Sequence, residues 1–241
     1  MKKIALVTGG NSGIGHATAK LLKEKGYDVF ISGRDANRLQ KTANELGVTS
    51  LFADMSKPED LQKLAIPFLE TGLDVLVCNA GVAKPIPIPD IKWTDFFESF
   101  STNVWGPIFL IKELLPALEK RQGNISIVSS VVAQTMEKSN LCLYAATKGA
   151  VNAFVCNMVT ELTPKGIRIN AVAPGPIDTP MFDKAGSSPE AATEFKRLLA
   201  SEIPLGRIGK PEEVAHVIVA QLEATYVTGS IWTVDGGVSV V

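Results

Sequence analysis

Seven short apolar runs alternate with stretches of helical period along the whole chain, and this alternation leaves few architectures open. The runs cover residues 3–8, 28–32, 49–53, 74–78, 124–129, 168–173 and 230–234. Stretches of helical character lie between them, at 13–25, 35–46, 58–70, 103–121, 143–162 and 211–222. Most of the runs are almost continuously apolar, as expected of strands buried on both faces of a parallel sheet. The pattern predicts an α/β fold with a doubly wound sheet of about seven parallel strands and helices on both faces. No Ser/Gly/Pro-rich linker divides it, so residues 1–241 are read as one domain. A chain of this length buries roughly 70–75% of its unfolded surface, enough for a core without metal or disulfide.

Two segments break the alternation. Residues 84–92 carry three prolines in five positions and cannot form regular helix. Residues 181–205 hold a Gly-Ser-Ser-Pro stretch followed by a weak helix. Loops at the carboxyl ends of strands carry ligands in such folds. Residues 84–98, 134–143 and 181–205 are therefore read as walls of a substrate pocket, with plain surface connections as the alternative.

Composition removes several function classes. Basic and acidic residues number 24 and 25, with no basic stripe of the kind a nucleic-acid binder shows. Cys78, Cys142 and Cys156 are odd in number and far apart, which fits a reducing compartment, the cytoplasm, better than a disulfide framework. His16 and His216 are too separate to propose a metal site. No apolar run approaches the ~18–20 residues of a membrane span, and the opening residues do not read as a signal peptide.

The first strand runs into Thr8-Gly9-Gly10-Asn11-Ser12-Gly13-Ile14-Gly15. A strand, a glycine turn and a helix start make an anion site. The first backbone N–H groups of the helix lack partners, its dipole favours negative charge, and glycines let a pyrophosphate approach. The TGxxxGxG spacing resembles that of the short-chain dehydrogenase/reductase family, in its non-extended branch. Further motifs follow in family order: Asp54 after the third strand, Cys78-Asn79-Ala80-Gly81, Asn103, Ser129-Ser130, Tyr144-Ala-Ala-Thr-Lys148, Pro174-Gly175-Pro176-Ile177-Asp178-Thr179 and Val234-Asp235-Gly236-Gly237. The resemblance implies a Rossmann-type fold and a nicotinamide dinucleotide. The glycine turn would hold it through Gly9, Asn11, Ser12, Gly13, Ile14 and Gly15. Asp54, Asn79, Ala80, Gly81, Pro174, Gly175, Ile177 and Thr179 would complete the contacts. Cys78 departs from the family's asparagine and is read as a packed small apolar residue.

The second strand ends Ile31-Ser32-Gly33-Arg34-Asp35. An acidic side chain there would bind the ribose hydroxyls of NAD. By resemblance Gly33 stands at that place and Arg34 beside it, offering a guanidinium to a 2′-phosphate. NADP(H) is thus expected over NAD(H), with Asp35 capping the following helix.

Tyr144 and Lys148 stand four apart and share one helix face. A free phenol has a pKa of about 10, and lowering it by about three units takes ~4 kcal/mol. An ammonium at about 4 Å and an effective dielectric of about 20 supplies ~4 kcal/mol. The spacing therefore predicts an acidified phenol. The resemblance implies Tyr144 as acid/base, Ser130 orienting a carbonyl, Lys148 binding the ribose, and Asn103 holding a water or kinking its helix. Residues 103–118 and 145–162 are apolar almost all round, which predicts cover by a second copy, as dimer or tetramer. The expected activity is hydride transfer between NADP(H) and a carbonyl or secondary alcohol. A nucleotide-binding redox sensor without turnover is the alternative.

Overall fold

The structure is a computed structural model that describes residues 2–134, 140–180 and 189–240. Residues 135–139 and 181–188 of the expected pocket walls lie outside the described residues. The seven strands are β1 (Ile4–Thr8), β2 (Asp28–Gly33), β3 (Thr49–Phe52), β4 (Val75–Cys78), β5 (Asn124–Val128), β6 (Arg168–Pro174) and β7 (Ile231–Val234). All pair in parallel, in the order β3-β2-β1-β4-β5-β6-β7. The predicted doubly wound sheet is present, each strand within a residue of its expected bounds.

Eight helices accompany the strands among the described residues: α1 (Gly13–Glu24), α2 (Ala36–Leu46), α3 (Pro58–Thr71), α4 (Trp93–Phe100), α5 (Gly106–Arg121), α6 (Cys142–Leu162), α7 (Pro189–Ser201) and α8 (Pro211–Glu223). The pleat sends alternate strand residues to opposite faces. Leu6, Leu76, Ile125 and Ile127 pack with Leu64 and Phe68 of α3, Leu110 and Leu114 of α5, and Val151 of α6. Ala5, Val7, Val75 and Val77 turn the other way, onto Ala19 and Leu22 of α1 and Val214 and Ile218 of α8. Two cores on one sheet explain why the strand sequences do not alternate. Each fully buried Leu or Phe contributes about 1.5–3 kcal/mol to holding the layers together.

One expectation is corrected. Residues 93–98, assigned to a substrate loop, form α4, and the chain continues through a wide π-helical turn, Ser101–Trp105, into α5. The prolines do their predicted work only as far as a short 3-10 turn at Ile88–Asp90. Asp95 then accepts from the Lys92 backbone N–H at 3.1 Å and starts the helix. The aromatic-rich Trp93–Phe100 segment hid the helical period. The remaining loop is tied to the segment before α6, where Ile86 N donates to Asn140 O at 2.7 Å.

Candidate functional site

The chain winds outward from β1 through β2 to β3, then returns to place β4 on the other side of β1. The carboxyl ends of β1 and β4 therefore bound the crevice where such sheets bind ligands. Thr8, the last residue of β1, secures it. Its Oγ1 accepts from the backbone N–H of Asn79 at 3.0 Å and of Ala80 at 3.1 Å. Asn79 reciprocates, its Nδ2 donating to Thr8 O at 3.0 Å and Gly9 O at 3.2 Å. The side chain of Asn79 thus steadies the glycine turn.

The turn itself has no room for side chains. Gly9 has φ +64°, and a Cβ there would lie 2.9 Å from Ala80 Cα. A Cβ on Gly15 would lie 2.4 Å from both Gly9 O and Asn79 Nδ2. Gly13 has φ +52° and faces Thr179, whose Cγ2 would be 3.0 Å from an added Cβ. Thr179 thereby packs against the turn at Gly13. Ser12 is the N-cap of α1 without a side-chain capping bond, and the first turn holds no acidic residue. The turn is a cradle of backbone N–H groups with uncompensated positive dipole, which fits a pyrophosphate. Ile14, beside it, packs against the core.

The other proposed contacts divide. Gly81 sits close to Asn103 and Lys148, its missing Cβ 3.2 Å from Asn103 Oδ1 and 3.8 Å from Lys148 Nζ. Gly175 instead makes room for Asp235, whose Cβ would be 2.7 Å from an added Cβ. Pro174 ends β6, and the Ile177 side chain is buried in the core while its backbone bridges to Gly209.

At the end of β2, an added Cβ on Gly33 would stand 3.2 Å from Asn11 Oδ1, and Arg34 is exposed. Asp35 is the N-cap of α2, its Oδ1 accepting from Arg38 N at 3.0 Å. Asp54 accepts from Ser56 N at 2.9 Å and Ser56 Oγ at 2.7 Å. Burial raises the Asp54 pKa, but the Ser56 bonds and the nearby Arg34 and Lys57 charges outweigh it, holding the carboxyl below its usual range. The Arg34 charge therefore acts on Asp54, just past the end of β3. Lys84 is ion-paired with Glu98 and, at 3.8 Å, Asp95.

Beyond β5, α6 brings the remaining residues together. The Ser130 side chain hydrogen-bonds the Tyr144 phenol. Lys148 Nζ donates to Val128 O at 2.7 Å and lies 5.6 Å from the Tyr144 ring centroid. Asn103, in the π-helical turn, accepts from Val82 N at 2.8 Å and donates to Val82 O at 2.8 Å and Thr147 Oγ1 at 3.1 Å. Irregular helical turns recur at functional sites.

The expected acidified phenol is not what the structure shows. Burial pushes the Tyr144 hydroxyl up to about 12, opposed by the Ser130 bond. Lys148 Nζ is hydrogen-bonded to the Val128 carbonyl and lies over the Tyr144 ring, so burial decides the direction of the shift. Burial in turn lowers Lys148 to about 8, with the Cys78 thiol opposing. Cys78 is packed in the core, and burial raises it to about 12. Spacing on a helix located the partners but not the direction of the ammonium.

A nucleotide cradle at the β1–β4 crevice and a Ser-Tyr-Lys group at the β5–α6 junction stand in one sheet order. A family model described as enoyl-(acyl carrier protein) reductase matches residues 9–239. The chain is a member of the short-chain dehydrogenase/reductase family. Glucose 1-dehydrogenase of Gluconobacter oxydans is 38% identical over 98% of the chain and 92% of the relative. The 3-oxoacyl-[acyl-carrier-protein] reductase FabG of Vibrio cholerae is 34% identical over 98% of the chain and 96% of its own length. The Pseudomonas aeruginosa RhlG/NADP active-site complex superposes with a TM-score of 0.91 at 29% identity, over 98% of this chain and 96% of that one. Short-chain dehydrogenase/reductases are oxidoreductases of CH–OH and C=O groups that use a nicotinamide cofactor. No helix among the described residues is long and apolar enough to cross a membrane.

Sequence reasoning missed Thr8, Thr147 and α4. Thr8 and Asn79 are 71 residues apart, and Asn103 and Thr147 are 44 apart. No local pattern marks such partners.

Proposed function

We propose that the chain is an NADP(H)-dependent oxidoreductase that reduces a carbonyl, with Tyr144 as the proton donor. The observation that carries this reading is the Ser130–Tyr144 contact on the helix turn that also presents Lys148. A bound reduced nicotinamide would supply the hydride. The glycine turn, Asn79, Ala80, Gly81, Thr179 and the backbone around Pro174–Ile177 would hold the dinucleotide. Ser130 would hold the substrate oxygen beside the phenol. A phenol with a pKa raised to about 12 keeps its proton at neutral pH and can give it to an oxygen gaining negative charge. Lys148, near 8, is mostly charged at pH 7 and can bind the ribose while replenishing that proton. Asn103 would keep the Val82 segment and Thr147 in place around them.

Arg34 supports the choice of NADP(H). It is exposed, the residue before it is a glycine rather than an acid, and the acid after it, Asp35, caps a helix. Arg34→Ala should raise KM for NADPH roughly tenfold or more, since a hydrogen bond to a charged group nets about 1.5–3 kcal/mol. KM for NADH should change less than about twofold. Steady-state kinetics with both cofactors over a panel of ketones, sugars and 3-oxoacyl thioesters tests the whole reading. Cofactor binding without turnover of any carbonyl would favour the redox-sensor reading instead.

The same reading includes self-association. Trp93, Phe97, Trp105 and Phe109 stand along one side of the α4–α5 helix, and each is at least 40% exposed. Trp93 meets Phe97 and Trp105 meets Phe109 in tilted ring contacts, both with centroids 6.0 Å apart. Solvent does not favour such an aromatic stripe, and a second copy of α5 and α6 would cover it. Light scattering should give a dimer or tetramer mass, and a monomer at micromolar concentration would refute this.

A further inference from the structure

Tyr144, Lys148 and Asn152 stand four apart on α6 and so form one stripe facing the end of β5. Each meets a different one of three consecutive residues there. Tyr144 bonds Ser130, Lys148 bonds the Val128 carbonyl, and Asn152 Oδ1 accepts from Ser129 Oγ at 2.6 Å. The first two contacts belong to the group described above. The third lies one helical turn beyond it.

The need for such a contact follows from where the strand stops. β5 ends at Val128, so Ser129 and Ser130 lie past its regular ladder. Ser129 keeps one backbone bond to β6, from its N to Val172 O at 2.7 Å. Its hydroxyl is buried, 2% of the residue being exposed, and is anchored to α6 by Asn152. Ser129 is thus held at one end by a strand and at the other by the helix. Strand alternation would have sent the two serines to opposite sides, yet both hydroxyls reach α6.

We propose that Asn152 is a positioning residue. Through Ser129 it fixes the end of β5 in the register that sets Ser130 against Tyr144 and the Val128 carbonyl against Lys148. The inference rests on the reading of those three residues as the reacting group. Asn152 itself touches none of the reacting atoms; it acts on the strand end that carries them.

The test compares Asn152→Leu, Ser129→Ala and the double variant with the parent protein. One arm measures carbonyl reduction with NADPH. The other follows Lys148 by NMR of ε-carbon-labelled lysine, assigned with Lys148→Met, and needs no turnover. Asn152→Leu should lower kcat about tenfold, the size expected when a buried donor loses its acceptor, with KM for NADPH within about twofold. The Lys148 midpoint should move by about half a unit or more. Ser129→Ala should show the same two effects, and the double variant should be no worse than either single, because one bond is being removed. If Asn152→Leu does not fold, Ser129→Ala carries the test. A fall in melting temperature with the Lys148 midpoint and kcat unmoved would overturn the proposal and leave a purely structural bond. If the parent reduces no carbonyl, the proposed activity fails while the lysine titration still decides the positioning role.

Discussion

Tyr144→Phe is expected to reduce kcat for carbonyl reduction by about a thousandfold, within the 10²–10⁴ range for losing a positioned proton donor. The substitution removes one oxygen and its Ser130 bond while retaining the ring that packs beneath Lys148. NADPH affinity should therefore remain within about threefold, since ring contacts and the glycine turn are untouched. The pair of outcomes is diagnostic. A uniform loss of binding would mean that the phenol serves the dinucleotide; a selective loss of kcat assigns it to the reaction. On the proposed mechanism the parent's rate should also fall as pH rises through the Lys148 midpoint near 8, where the ammonium that would replenish the proton is lost. Stopped-flow measurement of NADPH oxidation under single turnover separates this step from product release.

Gly15→Ala should weaken dinucleotide binding roughly 5- to 150-fold, from an overpacking cost of about 1–3 kcal/mol. The added methyl would overlap the Gly9 carbonyl and the Asn79 amide, both 2.4 Å away. The carbonyl is backbone and cannot swing aside. Relief requires the turn to open away from Asn79, which breaks the amide's bonds to Thr8 and Gly9. Fluorescence titration with NADPH measures the loss directly. Gly26, which has φ +87° and open space around it, is the comparison: Gly26→Ala should cost stability through backbone strain and leave binding intact.

Much of this fold was legible because the sheet is covered on both faces. Continuous apolar runs such as Val75–Cys78 have no other economical use in a chain of this length. Helix boundaries were less so, and α4 escaped because its aromatic residues serve an exposed stripe rather than a buried face. The local geometry of the candidate site was readable wherever neighbours in sequence are neighbours in space, as in the glycine turn, the Asp35 cap and the Tyr144–Lys148 spacing. It was unreadable where the partner lies far along the chain. Asn152 and Ser129 are 23 residues apart, and each alone resembles any polar residue at a helix or strand end. The sense of the Tyr144 shift was misread for a related reason. Spacing gives the distance between two side chains on a helix, whereas the protonation of a phenol depends on what surrounds its oxygen and on which way the ammonium turns.

The strand order has a consequence for how such a protein changes over time. Arg34 stands at the end of β2, on one flank of the β1–β4 crevice, while Tyr144 works against the end of β5 on the opposite flank. On the proposed function, coenzyme preference and reaction chemistry would sit on separate wings of the sheet, joined by the clamp of Thr8 and Asn79. Either wing would then be open to change by mutation without redesign of the other.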